Sequence, residues 1–276
     1  MGTLQFTLRR QRLITDEDGY TVWRVNDDPE LWPAAETALL LCDVWDSHWC
    51  RGARERLDDL IPQMNATVNA ARDAGIQIVH APSGTMEFYA DHPARKRVLD
   101  NALVDLPDET LPPPAKDSGS LVGAMYAPSG TVVDYDPPLP IDASDHGSDT
   151  GETEPGPKWA RQHAGIDIDG ERDLISDDGH QVYSCLLERQ ISGMLILGVH
   201  TNMCVLHRTF GIKQMTKWGM EMVLIRDLTD TMYSPARPPY VGHEGGTQLV
   251  IYYIEKFWCP TALSSDILKS SNELRI

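Results

Sequence analysis

One cysteine and one aspartate each follow an apolar run, at positions where a side chain can take part in chemistry. Cys204 stands after the run 194–199, and Asp43 follows the run 37–42. A thiol at the start of a helix faces unpaired backbone N–H groups, which favour its thiolate form and can stabilise an oxyanion. A neighbouring carboxylate can take the thiol proton and return it to a leaving amine. The two residues could therefore carry out nucleophilic catalysis, and core filling by Cys204 and capping by Asp43 are the alternatives.

The cysteines as a group lack the pattern of a disulfide framework or a zinc site. There are five, an odd number, irregularly spaced and without a CxxC pair. Reduced thiols are therefore predicted, because disulfide scaffolds and thiolate zinc sites need paired cysteines. The first residues lack the apolar stretch of a signal peptide, which also favours a cytoplasmic protein. Cys42, Cys185 and Cys259 lie in or beside apolar runs and are expected to fill the core.

Charge and hydropathy exclude two classes of function. The 276 residues include 24 Lys plus Arg against 41 Asp plus Glu, which gives a net charge of −17. A surface this acidic repels phosphate backbones and anionic lipid headgroups, so nucleic-acid and membrane binding are not expected. No apolar run approaches the ~18 residues of a membrane-spanning helix.

The order of apolar patterns predicts alternating strands and helices. The run 37–42 is continuously apolar, as in a strand buried on both faces, and a helix with apolar residues three and four apart follows over 57–71. A second strand over 76–81 completes a βαβ unit. The later predicted strands are 174–176, 194–199 and 221–225, and the later helices are 184–191, 203–218 and 245–256. This alternation predicts an α/β fold, a three-layer α/β/α sandwich around a mainly parallel sheet.

Two segments lie outside this alternation. Residues 3–25 predict an amphipathic β-hairpin, which makes 1–33 an N-terminal extension. Residues 107–157 are rich in Pro, Gly, Ser and acidic residues, and they predict a solvated excursion or a lid over a site. Because the βα series resumes after the excursion, we expect a single domain over 1–276.

The predicted sheet also indicates where a ligand binds. Ligands of open α/β sheets lie beyond the carboxyl ends of the strands. That rule selects residues 43–49, 80–88, 180–183 and 200–204. Four aromatic residues in these loops could line a pocket for an apolar or planar substrate or could pack in the core: Trp45, Trp49, Phe88 and Tyr183. No glycine-rich phosphate loop follows any strand, so no nucleotide cofactor is expected.

The segment Gly198–Val205, GVHTNMCV, resembles the nucleophile segment of the isochorismatase-like cysteine hydrolases. That superfamily includes nicotinamidases and N-carbamoylsarcosine amidases. Asp43 resembles its catalytic aspartate, and Asp227 with His243 stands where the family has a late Asp and His. The resemblance extends over about residues 36–268, apart from the central excursion.

This resemblance implies a fold and a reaction. It implies a six-stranded parallel sheet, an Asp–Lys–Cys triad and a cis peptide bond between Val199 and His200. The backbone amides of His200 and Cys204 would form the oxyanion hole. The cysteine would attack an amide-like carbonyl, ammonia or an amine would leave, and water would hydrolyse the thioester. Relatives assemble as dimers or tetramers, so a homodimer or homotetramer is expected.

The sequence departs from the family pattern at the lysine. In relatives the lysine lies three residues before a Tyr-Ser or similar pair, and here that position holds His180. An imidazolium could replace the lysine, although its ordinary pKa near ~6.5 leaves it only partly charged at neutral pH. Lys158, from the excursion, is a second candidate. The remaining alternative is that no cation is supplied and amidase activity is weak or lost.

Two further histidines bear on the predicted site. His200 replaces a residue that is small in relatives, so its ring is expected to narrow the pocket, to act as an acid–base group or to fill space. Nicotinamidases often have an Asp-x-His metal pair after the second strand. Here the segment 46–48 has that spacing but follows the first strand, and two ligands are fewer than a catalytic zinc needs. No metal is therefore predicted.

The sequence favours a cysteine hydrolase that cleaves a C–N bond of a small amide. Cys204 is the predicted nucleophile, Asp43 the general base and His180 or Lys158 the cation. One alternative is a vinyl-ether hydrolase of the isochorismatase kind, in which Asp43 acts as the acid and the cysteine is not required. The other is a catalytically silent binding or scaffold protein that keeps the fold.

Overall fold

The structure is a computed structural model that describes residues 2–107 and 137–273. The strands are β1 (Thr3–Thr15), β2 (Thr21–Pro33), β3 (Thr37–Cys42), β4 (Gln77–Ala81), β5 (Leu174–Ile175), β6 (Gly193–Val199), β7 (Glu221–Asp230) and β8 (Thr261–Ala262). The α-helices are α1 (Arg51–Ala74), α2 (Pro93–Leu99), α3 (Gly179–Glu188), α4 (Ile212–Lys217), α5 (His243–Phe257) and α6 (Ser264–Glu273). No helix in these ranges is long and apolar enough to cross a membrane.

One sheet organises the fold, with strand order β2-β1-β8-β7-β6-β3-β4-β5. The six strands from β8 to β5 are parallel, which confirms the predicted mainly parallel sheet. The strands β1 and β2 form the predicted hairpin. This hairpin extends the sheet, because β1 pairs antiparallel with β8.

The two central strands, β3 and β6, are buried along their whole length. Apolar side chains on one face of the sheet pack against α1 and α6, and those on the other pack against α3, α4 and α5. Burying a Leu, Ile or Val side chain stabilises a fold by roughly 1.5–3 kcal/mol, which favours covering both faces. The predicted three-layer sandwich is therefore confirmed.

Three helices differ from their predicted bounds. The helix expected over 57–71 begins at Arg51, so Pro62 lies inside it. The helix expected over 184–191 begins five residues earlier, because the Asp178 side chain accepts a hydrogen bond from the Gln181 amide and caps it. The helix expected over 203–218 is divided into a π-helical segment over Thr201–Val205 and the short helix α4. Gly211 lies at the division, and a Cβ there would approach the Val205 carbonyl oxygen to 2.8 Å.

The described part of the acidic excursion lies against the rest of the protein. Residues 108–136 of the predicted excursion lie outside the described ranges. In the remainder, Asp142 pairs with Arg237 at 2.6 Å, and Asp149 pairs with Arg56 at 2.6 Å. These two acidic side chains therefore lie against basic side chains of the globular body.

Candidate active site

Asp43 and Cys204 come together because β3 and β6 are neighbours. Cys42 pairs with Gly198 in the parallel ladder, so the two chains leave the sheet side by side. Gly198 has φ +115°, and a Cβ there would lie 2.1 Å from the Cys42 carbonyl oxygen. Only glycine lets the two strand ends approach this closely.

Asp43 is fully buried, and both of its oxygens accept hydrogen bonds. Its Oδ1 accepts from the Ser83 backbone N–H at 2.8 Å, and its Oδ2 accepts from Arg208 Nε at 3.1 Å. The Cys204 side chain also forms a hydrogen bond with it. Burial raises the pKa of Asp43, and Arg208 with the hydrogen bonds opposes that rise. The result is a carboxylate that is more basic than an exposed one.

Cys204 is a thiol in the resting protein. Burial and the adjacent negative charge of Asp43 raise its pKa to about 12, while Arg208 and a hydrogen bond from the His200 backbone act in the opposite direction. The expectation of a resting thiolate at a helix start is therefore wrong. The sulfur lies in the π-helical segment. Its desolvation and the neighbouring carboxylate raise the pKa more than Arg208 and the His200 backbone lower it.

The cation of the site is Arg208, which the sequence analysis missed. Its guanidinium contacts Asp43, and its positive charge acts on Cys204 as well. Arg208 lies four residues after the nucleophile, and its backbone N–H donates to the Cys204 carbonyl at 3.0 Å. One helical turn places residues four apart on the same face. That spacing is the signal in the sequence that could have found it.

The two predicted cations do not occupy this position. His180 lies in the first turn of α3, and its Nε2 is 2.7 Å from the Val104 carbonyl oxygen. Its ring therefore contacts the segment after α2. Lys158 is exposed to solvent. In the described part of the chain, Arg208 takes the place beside Asp43 that the resemblance assigned to a lysine.

His200 lies directly beside the nucleophile. The Val199–His200 peptide bond is cis, as the resemblance implied. The His200 backbone forms a hydrogen bond with the Cys204 sulfur. The His200 side chain is buried, with its ring centroid 4.9 Å from that of His48.

Both of these imidazoles are neutral at neutral pH. Burial is the largest cause for both rings, and it lowers the pKa of His48 to about 4 and that of His200 to about 3. His48 Nδ1 accepts a hydrogen bond from the Cys50 backbone N–H, so the neutral ring carries its proton on Nε2. Neither ring supplies a positive charge, which leaves that role to Arg208.

An aromatic stack lines this end of the sheet. Trp45 and Trp159 stack with ring centroids 3.9 Å apart, and both indole N–H groups donate to the Ser83 carbonyl. His48 stacks on Trp159 at 5.9 Å. Trp45 was predicted to contact substrate, and it is buried, with a relative exposure of 4%. Trp159 was not selected from the sequence, because it lies two residues after the predicted excursion and outside the four loops selected at the strand ends.

The three other predicted aromatic residues are dispersed. Trp49 is half-buried and borders His48 with ring centroids 5.4 Å apart. Phe88 is exposed and lies beneath the Arg161 guanidinium at 5.6 Å. For Tyr183 the structure corrects the prediction of a substrate contact. Its side chain is buried in the core, and its hydroxyl donates to the Trp218 carbonyl at 3.1 Å. Its position on the inner face of α3 gives it a structural role.

Asp227 and His243, which the resemblance matches to the late Asp and His of the family, have different partners. Asp227 accepts hydrogen bonds from the backbone N–H and the hydroxyl of Ser264 at the start of α6. His243 pairs instead with Asp230 at 2.8 Å. Burial is the largest single effect and lowers the pKa of His243, but the hydrogen bond to Asp230, the negative charge of Asp230 and the hydrogen bond to the Tyr233 backbone together leave that pKa raised.

The described residues show no cluster of three or more His, Cys, Asp and Glu side chains that could hold a metal ion. His80, at the end of β4, binds Gln162 and Asp173 through its two ring nitrogens. The absence of a metal stays a prediction.

Fold and site together define an α/β protein with a buried Asp–Cys–Arg group at the carboxyl edge of its parallel sheet. Neither a family model nor a curated protein matches the sequence. A solved cysteine hydrolase from Pseudomonas syringae pv. phaseolicola is similar in structure, with 13% identity, TM-score 0.49 and coverage of 88% of this chain and 96% of that one.

Two further similar structures are named after isochorismatase. An isochorismatase from Pseudomonas putida is 11% identical, with TM-score 0.46 and coverage of 84% of this chain and 90% of that one. An isochorismatase-like hydrolase from Alkaliphilus metalliredigens is 11% identical, with TM-score 0.46 and coverage of 86% and 97%. At such identity the likeness does not extend to substrate or activity.

Proposed function

We propose that this protein is an isochorismatase-like cysteine hydrolase that cleaves a C–N bond of a small amide. One observation carries the proposal. The Cys204 thiol is hydrogen-bonded to a buried carboxylate, Asp43, which is itself bound to a permanently charged guanidinium, Arg208. A nucleophile, a base and a group that orients the base is the arrangement that covalent catalysis needs.

In the first half of the reaction Cys204 Sγ attacks the amide carbonyl carbon, and Asp43 accepts the thiol proton. The negative charge that forms on the carbonyl oxygen is stabilised by the backbone amides of His200 and Cys204. Asp43 then gives its proton to the amide nitrogen. The C–N bond breaks, ammonia or an amine leaves, and a thioester remains on Cys204.

In the second half a water molecule attacks the thioester carbonyl while Asp43 accepts one of its protons. The tetrahedral intermediate expels the sulfur, the proton returns to Cys204, and the carboxylic acid product leaves. Because the Cys204 pKa is about 12 and the Asp43 pKa is raised, one proton moves between these two groups in each half.

Arg208 acts on the base. Burial alone drives Asp43 towards its protonated form, in which it cannot accept a proton. The positive charge of Arg208 opposes this effect and so favours the ionised form of Asp43, which can accept a proton. An arginine keeps its positive charge at any physiological pH, so its effect on the Asp43 carboxylate persists across that range.

The proposal is tested by measuring ammonia release from a panel of small amides, some neutral and some bearing a carboxylate. Cys204→Ala and Asp43→Asn should each lower kcat/KM by at least about 1,000-fold, because each removes a group that acts in both halves. Cys185→Ala removes a buried thiol of α3 and should keep the activity.

Two results would contradict this function. Release of no ammonia from any amide of the panel would favour a silent member of the fold. An activity that Asp43→Asn abolishes and Cys204→Ala retains would favour the vinyl-ether hydrolase, in which the cysteine is not required.

A further inference from the structure

The outer edge of strand β2 is open. This strand ends the sheet, with β1 as its one neighbour among the described strands, and it is 13 residues long. Opposite Pro29 in the ladder, the Thr7 N–H donates to the Asp266 side chain of α6 and not to β2. Residues of β2 at odd positions therefore direct their N–H and C=O groups away from β1, towards the open edge.

An open edge of this length is a template for another strand. The register between β1 and β2 is unbroken from Thr21 to Pro33, so no bulge turns the edge away. Two large apolar side chains of β2 are also exposed, Val25 at 49% and Leu31 at 70%. Charged residues and Pro29, which has no N–H, exclude indiscriminate pairing, so a partner strand must match their positions.

Two charged residues of β2 lack an opposite charge directly across the ladder. Arg24 lies opposite Arg12 of β1, and Asp28 lies opposite Leu8. Like charges directly opposite each other are unfavourable, whereas opposite charges in that position stabilise a sheet. Because Arg24 is exposed, a strand added at the edge can supply the carboxylate that β1 does not.

The sequence of β2 itself contains that carboxylate. When two copies pair antiparallel about a two-fold axis, one residue of each copy lies opposite itself on the axis. An axis at Arg24, Asp27 or Asp28 opposes like charges. An axis at Val25 avoids this but places Arg24 opposite Asn26. An axis at Asn26 places Arg24 of each copy opposite Asp28 of the other, which forms two ion pairs and opposes no like charges.

We propose that β2 is a dimer interface, at which two copies of this chain pair their β2 strands antiparallel with Asn26 on the two-fold axis. The pairing joins two eight-stranded sheets into one. It places Val25 beside Val25 of the other copy and Leu31 beside Thr21, which reduces the exposure of both apolar side chains. Pro29 lacks an N–H, so each copy gives up one hydrogen bond of the ladder there.

The net charge of −17 on each copy does not prevent this contact. Exposed charges more than about 8–10 Å apart are largely screened at physiological ionic strength. The hydrogen bonds of the ladder and the two ion pairs act at contact distance. Because the complementary charges lie within one strand, a second copy of the chain is the partner that always carries them.

Sedimentation equilibrium of the full chain at micromolar concentration tests the interface, and the native protein should be a dimer. Arg24→Asp and Asp28→Arg each oppose like charges at two places across the axis. Each should therefore weaken association by at least about 10-fold. The double variant, Arg24→Asp with Asp28→Arg, forms both ion pairs in the reverse sense and should restore the native affinity to within about 3-fold.

Arg172→Asp is the matched control, because it makes the same change in charge at an exposed position far from β2 in the sequence and should leave association unchanged. Circular dichroism checks that every variant is folded. Three results would overturn the interface: a monomeric native protein, a dimer that neither single variant weakens, or a double variant as weak as the single ones. None of these measurements depends on amide hydrolysis.

A cysteine on the axis tests the register directly. Residues of even number face each other as non-hydrogen-bonded pairs across the interface, where two side chains approach closely enough for a disulfide. Asn26→Cys should therefore link two copies covalently on mild oxidation, seen by non-reducing gel electrophoresis and reversed by a thiol reductant. Glu30→Cys lies on the same face of β2, four positions from the axis, and should stay unlinked. Equal linking of the two variants, or no linking of Asn26→Cys, would contradict the proposed register.

Discussion

Burial determines whether Cys204 or Asp43 carries the proton that the two groups share. Both groups are removed from water, which disfavours the charged form of each, and only one positive side chain, Arg208, is in contact with the pair in the described part of the chain. A single cation can balance one negative charge but not two. The carboxylate carries that charge and the thiol keeps its proton. Cys204 therefore becomes a nucleophile only as Asp43 removes the proton during attack.

This arrangement predicts opposite effects of two substitutions on alkylation of Cys204. Asp43→Asn removes the negative charge that raises the Cys204 pKa, so iodoacetamide at pH 8 should react at least about 10-fold faster while turnover is lost. Arg208→Gln removes the charge that lowers this pKa and should slow alkylation. The other four cysteines are buried, so the label should appear on one thiol.

Mass spectrometry of the labelled protein over time measures these rates. Asp59→Asn, an exposed substitution with the same change in charge, should leave the rate unchanged. Faster alkylation of the native protein than of Asp43→Asn would show that the thiolate is already present at rest.

The junction of β3 and β6 positions the reacting groups. Asp43 follows β3, Cys204 follows β6, and Ser83, which orients the carboxylate, follows β4. Asp43 itself has φ +50°, a left-handed conformation that is unfavourable for a residue other than glycine. Parallel strands bring their carboxyl ends to one edge, which is why residues distant in sequence meet here.

Gly198→Ala should disturb this junction. The new methyl group would meet the Cys42 carbonyl at 2.1 Å, so the strand ends must separate, and we expect a loss of about 3 kcal/mol or more in the free energy of unfolding, with loss of activity. Gly219→Ala is the matched control, since Gly219 also has a positive φ but nothing within 4 Å of the added Cβ.

Urea unfolding of both variants measures the difference. Gly219→Ala should cost only about 1 kcal/mol, the conformational preference of alanine at a positive φ. Equal losses in the two variants would contradict the role of close strand approach.

At the scale of the whole molecule, a buried ionic network fastens the chain before β5 to the rest of the fold. Asp173 accepts hydrogen bonds from Arg72 of α1 at 2.7 and 3.1 Å, and His80 of β4 lies 3.0 Å from it. Burial by itself would raise the pKa of Asp173, but the hydrogen bonds to His80 and Arg72 lower it to about 2. The ionised carboxylate is therefore part of the folded structure.

Because the pKa of Asp173 is lowered on folding, its contribution is complete above the ordinary value near 3.8 and is lost as the pH falls through about 2. That shift corresponds to about 2 kcal/mol. Asp173→Asn also leaves Arg72 unpaired, so it should lower the free energy of unfolding at pH 7 by about 3 kcal/mol.

Urea unfolding at several pH values tests this prediction. The difference between Asp173→Asn and the native protein should shrink below pH 4, and Asp91→Asn, at an exposed ion pair, should show almost no difference at any pH. A difference that stays constant down to pH 2 would contradict the ionic contribution.

The sequence by itself determined the layers and the two reacting groups. Continuous apolar runs such as 37–42 and 194–199 can be satisfied only in a sheet covered on both faces, so they predict the sandwich and place Asp43 and Cys204 at strand ends. The short strand β8 and the helix α6 escaped prediction. A two-residue strand has no periodicity of its own and depends on the neighbours that it pairs with.

Tertiary structure alone decided which cation joins the site and which form the thiol takes. Arg208 and Asp43 are separated by 165 positions, and their contact depends on where the chain turns after the π-helical segment. The position that the family pattern assigned to lysine holds His180, whose ring is directed to the Val104 carbonyl. The thiol pKa follows from desolvation and from the distance between charges, and neither quantity exists until the chain has folded.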